Sequence, residues 1–171
     1  PDGNRILFTS TTGEVDDKNK TIIINVNGDD EEIIIEGAVG AAWSPDGNTI
    51  AFFSYGPKIS EDLRKIDLHL LDIQSKENSI IFTMESKASS GLSWSPDGQK
   101  LVFAQGDFTL RNIYILDIGT RELVQLTTSG LNNDPDWSPQ DDIIVYVGYF
   151  EDGTSSFFLI RPDGSCKYEI Q

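Results

Sequence analysis

One phrase recurs along this chain and limits what it can fold into. It reads AAWSPDGNTIAFF from Ala41 to Phe53, returns as LSWSPDGQKLVFA from Leu92 to Ala104, and returns in altered form as PDWSPQDDIIVYV from Pro135 to Val147. The N-terminal PDGNRILFTS, Pro1 to Ser10, is the same phrase entered at its proline. The prolines Pro1, Pro45, Pro96 and Pro139 stand 44, 51 and 43 residues apart. A period of about 40–50 residues belongs to solenoids, propellers and arrays.

The content of each period selects among these. Ser-Pro-Asp-Gly suits a tight hairpin: serine at the first turn position, proline presetting φ at the second, aspartate at the third, and glycine supplying the left-handed residue that closes it. A strand is therefore predicted to end at Trp43–Ser44 and its partner to begin near Asn48. Two further strands follow in each unit, such as KIDLHLLDI (Lys65–Ile73) and NSIIFTM (Asn78–Met84), then NIYILDI (Asn112–Ile118) and ELVQLT (Glu122–Thr127). Ile66, Leu68 and Leu70 alternate against Asp67 and His69, the period of a half-buried strand. Four short strands per unit, with no helix-period segment between them, describe a propeller blade; such sheets bury their faces by packing on one another around an axis.

Fifteen strands are predicted in all, in repeat units of about 1–38, 39–89, 90–132 and 133–171, the first unit lacking its innermost strand. The fold class is all-β: a β-propeller segment of four-stranded antiparallel blades, with about four blades present. The expectation is a stretch of a larger propeller of about six blades; the rival is a small propeller closed by its own ends. In the altered phrase the glycine position is Asp141, and aspartate is expected to carry the left-handed turn in its place. Trp43, Trp94 and Trp137 close the first strand of their units and are expected to plug the space between blades rather than to stack on a ligand.

The run WSPDG followed by an IAF-type strand, the IYILDI strand and ELVQLT resembles the PD40 repeat, the WD40-like repeat of TolB-type propellers; NNDPDWSPQ (Asn132–Gln140) and LIRPDGS (Leu159–Ser165) share its phrasing. The resemblance covers the whole chain. Its matching residues, Trp43, Pro45, Asp46, Gly47, Trp94, Pro96, Asp97, Gly98, Trp137 and Pro139, are structural. It implies a non-catalytic scaffold that binds protein partners, placed outside the cytoplasm in the periplasm or at the cell surface. Related repeats also stand in front of prolyl-oligopeptidase-type hydrolase domains, where the propeller gates or positions substrate, and in propeller lyases; a lyase would need histidines outside this segment.

Composition narrows the partners. Thirteen basic residues against 28 acidic ones give a net charge of −15. That argues against nucleic acid, whose phosphates call for clustered lysine and arginine, and against an anionic membrane surface. No apolar run reaches the ~18 residues of a membrane span. Cys166 is the only cysteine, so neither an internal disulfide nor a cysteine-ligated zinc site is expected.

Little else points to chemistry, and no catalytic residue and no cofactor are expected. His69 is the only histidine and falls on the polar phase of its strand, where a surface role is expected. Ser44, Ser95 and Ser138 recur at one turn position and read as turn residues. Acidic residues gather at Asp16, Asp17, Asp29, Asp30, Glu31 and Glu32, and again at Asp134, Asp136, Asp141 and Asp142. Neither group follows a calcium-loop pattern. Asp134 and Asp136 are the candidates for a weak calcium site, because alternation would set them on one side of a strand. The longest departure from the period, YGPKISEDLRK (Tyr55–Lys65), reads as an inserted loop in which Tyr55, Pro57 and Ile59 would contact a partner. NKT (Asn19–Thr21) is a formal glycosylation sequon.

Overall fold

The computed structural model describes residues 2–10, 19–61 and 63–170. Pro1, Asp16 and Asp17, named above, lie outside the described residues. Fifteen strands and no helix are present among them. The chain divides into two compact units, residues 1–85 and 86–171.

The first unit holds two antiparallel sheets. One has three strands, β1 (Arg5–Ser10), β2 (Lys20–Asn25) and β3 (Glu32–Glu36), in that order. The other has four, β4 (Ala38–Trp43), β5 (Thr49–Lys58), β6 (Arg64–Asp72) and β7 (Asn78–Ser86). Ile23, Ala38, Ile50, Phe52 and Leu71 form a buried cluster, with Leu7, Ile34, Ile35 and Trp43 packed against it. Side chains of both sheets thus share one core, as stacked blades require. Trp43 joins it from the end of β4 and is only half-buried; the Arg5 guanidinium sits 5.0 Å from its ring centroid.

The second unit repeats the arrangement. β8 (Ala88–Trp94), β9 (Lys100–Gly106), β10 (Arg111–Asp117) and the short β11 (Leu123–Gln125) form one blade. β12 (Leu131–Trp137), β13 (Ile144–Tyr149), β14 (Ser155–Ile160) and β15 (Tyr168–Ile170) form the next. A single parallel pair, Arg111 with Leu131, links the two sheets. Their shared core sets Val102, Ala104, Ile113 and Ile115 against Trp137, Ile144, Tyr146 and Ile160. Trp137, 6% exposed, therefore packs on the preceding blade, the plugging role expected of it.

The SPDG turns form as the sequence requires. Ser44 N donates to Thr49 O and Gly47 N to Ser44 O, at 2.8 and 3.0 Å, with Gly47 at φ 74°. Ser95 and Gly98 repeat this at 2.9 Å, with Gly98 at φ 70°. The serine hydroxyl donates to the aspartate, Ser44 to Asp46 and Ser95 to Asp97 at 2.6 Å, and accepts from the first backbone N–H of the next strand, Thr49 or Lys100. These serine bonds, then the backbone N–H of Asn48 or Gln99, hold both carboxyls below the usual carboxylate range.

The altered turn corrects one expectation. Asp141 does not take the left-handed conformation; among the described residues the positive-φ non-glycines are Asp30, Lys76, Arg121, Asp134 and Cys166. The turn closes differently: Ser138 Oγ accepts from Gln140 N and Asp141 N, while Ser138 N still donates to Ile143 O. Without glycine the chain exchanges the left-handed residue for a serine side-chain turn.

Candidate interaction surface

The innermost strand of each complete blade carries the same irregularity. Register shifts fall between Val39 and Ala42, Ser90 and Ser93, and Asn133 and Asp136. Three residues before each tryptophan the backbone is left-handed: Gly40 at φ 59°, Gly91 at 55°, Asp134 at 49°. Such a bulge bends the strand and re-aims its side chains. In the second unit it brings the inner strands β8 and β12 into direct contact. Ser93 Oγ donates to Asp136 Oδ1 at 2.7 Å and accepts from Trp137 N at 3.1 Å. Ser90 Oγ donates to Asn133 Oδ1 at 3.3 Å.

This geometry bears on the calcium candidates. Simple alternation does not hold at Asp134 and Asp136, because the bulge lies across them and Asp136 is already bonded to Ser93. Among the described residues no group of three or more His, Cys, Asp or Glu side chains is placed to hold a metal ion.

The segment Tyr55–Lys65 is not a loop inserted between strands. β5 runs on to Lys58 and β6 begins at Arg64, so the extra residues lengthen the β5–β6 ladder into a projecting hairpin. The register shifts between Tyr55 and Lys58, and Pro57 is accommodated at that bulge, where no ladder N–H is demanded of it. Ile59 N and Ser60 N donate to Leu63 O, closing the tip. The expected trio is split: Tyr55 is half-buried with the Arg64 guanidinium 5.1 Å from its ring, whereas Pro57 and Ile59 face solvent, Ile59 at 51% exposure.

The turns joining second to third strands in the two blades of the second unit also present apolar tips, which sequence reasoning did not single out. Phe108 is 75% exposed and Leu110 is also exposed at the β9–β10 turn; Tyr149 and Phe150 are exposed at the β13–β14 turn. The β9–β10 turn is firmly built. Asp107 Oδ1 accepts from Leu110 N, Thr109 N and Thr109 Oγ1 at 2.7–2.8 Å, which holds its carboxyl down to about 2. Asp152 plays the same part for Thr154. The signal available in the sequence was an aromatic residue beside an aspartate-threonine turn in place of the usual polar tip.

His69, expected at the surface, is half-buried. Its ring stacks on Phe52 with centroids 4.7 Å apart and planes 11° apart. Nε2 lies 2.8 Å from Ser54 Oγ and Nδ1 3.0 Å from Asn78 Oδ1. With Asn78 Oδ1 as acceptor, Nδ1 carries the hydrogen and Nε2 accepts from the serine. Both ring nitrogens are thus hydrogen-bonded to neighbours in the same sheet. Asp67, expected on the solvent side of the same strand, is buried and accepts from Thr83 Oγ1 at 2.5 Å with Lys65 Nζ 3.2 Å away. The sequon asparagine, Asn19, is only 3% exposed, so its side chain is not presented for glycosylation in the folded chain. A cleft lined by Lys100, Ile115, Asp117, Glu122, Val124 and Pro162 has a volume of about 100 Å³, well short of the ~300 Å³ that holds a typical small ligand.

Comparison with known proteins fits this picture of repeated structural turns. The TolB beta propeller domain family, PD40, matches residues 3–166. The protein TolB homolog of Chlorobium luteolum is 43% identical over 76 residues, 44% of this chain and 17% of that protein. TolB from Acinetobacter baumannii shares the fold with a TM-score of 0.79 at 19% identity, over 98% of this chain and 41% of that one. An oligogalacturonate lyase from Vibrio parahaemolyticus does so at 0.69 and 18% identity, over 99% of this chain and 50% of that one. The chain thus spans half or less of the length of each, and the two structures, at such identities, speak for the fold alone. With four blades of the expected make and a family match over nearly its whole length, the chain belongs to the TolB β-propeller domain family.

Proposed function

We propose that this chain is a non-catalytic propeller scaffold that binds other proteins, working outside the cytoplasm in the periplasm or at the cell surface. Its four repeat units are read as successive blades of one larger propeller. The observation that carries the reading is the set of exposed apolar tips, Pro57 and Ile59, Phe108 and Leu110, Tyr149 and Phe150, each on the same turn of its blade. Apolar side chains on rigid turns bind at low entropic cost, because the turns are ordered before a partner arrives. The carboxylate clamps of Asp107 and Asp152 supply that order.

The recurrent serines and aspartates support the same reading, since they serve turns, and the one histidine serves packing. The net charge of −15 favours a partner with a basic or neutral contact face over nucleic acid. Affinity capture tests the proposal. The immobilised native polypeptide should enrich a small set of extracytoplasmic proteins from its source. Ile59→Ser or Phe108→Ser should lose at least one of them while keeping the unfolding midpoint. Enrichment that is unchanged in both variants would overturn the assignment of the binding surface.

A further inference from the structure

Arg111 stands at the start of β10 beside the apolar β9–β10 tip. Arg111 is 9% exposed, and its guanidinium is permanently charged. Its Nη1 donates to Asn133 Oδ1 at 2.5 Å, and its Nε is buried with no hydrogen-bond partner. Among the described residues no ion pair joins it to a carboxylate. An unpaired buried charge is costly, and in a chain with 28 acidic residues its isolation is a specific arrangement.

The surroundings are built rather than incidental. Asn133 Oδ1 also accepts from Ser90 Oγ, so one amide oxygen fixes the Nη1 side of the guanidinium and ties β10, β8 and β12 together. Asn132 Nδ2 donates to Arg111 O and Ser129 O, and Arg111 N donates to Gly130 O, so the backbone is pinned on both sides. The Phe108 ring centroid lies 6.0 Å from the guanidinium carbon.

We propose that Arg111 is a carboxylate-binding residue. It accepts a carboxylate on the Nε edge of its fork, with Phe108 and Leu110 contacting an apolar group beside that carboxylate. An arginine edge with two N–H groups matches a carboxylate in bidentate fashion, and the match strengthens where water is excluded. The ligand class is a protein segment in which a carboxylate adjoins an apolar side chain. This rests on the protein-binding reading and names the chemistry of the partner; its test uses small probes, so it can fail while partner capture succeeds.

The probes are N-acetyl-leucine, which carries a terminal carboxylate, and N-acetyl-leucinamide, which lacks it. N-acetyl-leucine should shift the Arg111 Nε–Hε resonance and the Phe108 and Asn133 amides saturably; the amide should not. A comparison with N-acetyl-aspartate N-methylamide separates a chain terminus from an internal acidic residue as the source of the group. Arg111→Gln should abolish the shifts. Asn133→Asp, which supplies an internal carboxylate, should both abolish them and raise the unfolding midpoint, and it keeps the test decisive if Arg111→Gln does not fold. Equal shifts with the amide, shifts that survive Asn133→Asp, or no saturable response would overturn the proposal.

Discussion

Gly91 and Asp134 approach so closely that a methyl group on Gly91 would lie 2.5 Å from the Asp134 Cα. The obstacle is backbone, which cannot rotate away, and Gly91 is itself left-handed at φ 55°. Gly91→Ala is expected to cost more than about 2 kcal/mol, as strain and collision combine. Gly40 has the same conformation, but its nearest neighbour is Phe53 Cδ2 at 3.8 Å. Gly40→Ala should cost only the conformational strain, about 1 kcal/mol. Urea unfolding of the two variants reads the difference, and equal losses would mean that β8 and β12 do not meet as described.

Asp141 separates two accounts of the altered turn. A left-handed aspartate would welcome glycine, and Asp141→Gly would stabilise. Asp141 is instead held by Ser138 Oγ in an ordinary conformation. The same substitution is then expected to cost about 0.5–1 kcal/mol through backbone entropy. A raised thermal midpoint in Asp141→Gly would contradict the structure here.

Trp137 and Trp43 occupy the same place in the repeat and differ in burial. Trp137→Ala opens the core between two blades and should cost about 3–5 kcal/mol. Trp43, half-buried beneath Arg5, should cost less on the same change. Denaturant midpoints of the two variants give the order directly.

The turn aspartates set an acid dependence. Asp46, Asp72, Asp97, Asp107, Asp117, Asp152 and Asp163 all have folded values below the ordinary carboxylate value, each through hydrogen bonds to its own turn. A lowered folded value means that the unfolded chain binds the proton more readily. The stabilisation is therefore present above about pH 4 and is lost as pH falls toward 2, the value reached by Asp107. Relief of repulsion among the acidic residues acts in the opposite sense, so the difference between variants is the clean readout. The gap in thermal midpoint between the native chain and Asp107→Asn should be present at pH 6 and close by pH 2. Because hydrogen bonds carry it, salt should leave it largely unchanged.

Much of this fold was legible because SPDG is a local instruction: proline, aspartate and glycine specify a turn, and the turn sets where strands end. The strand ends at Trp43, Trp94 and Trp137 follow from it. What escaped was backbone conformation without a shared residue. The left-handed bulge falls on glycine, glycine and aspartate, within GAAW, GLSW and DPDW, so no letter marks it. The β5–β6 extension was hidden by Pro57, which reads as a strand breaker until a bulge accommodates it. The isolation of Arg111 was invisible for another reason: it depends on which acidic residues are not nearby, and only tertiary structure decides that.

The protein-binding reading turns on whether the apolar tips touch another protein. A photo-crosslinking residue placed at position 59 or 108 of the native polypeptide, and activated in the source cells, tests this most directly. Discrete adducts to a second protein are expected from both tips and none from position 124, which is also exposed but stands on β11 rather than on a turn between second and third strands. No adduct from either tip, or adducts as abundant from position 124, would contradict the scaffold assignment.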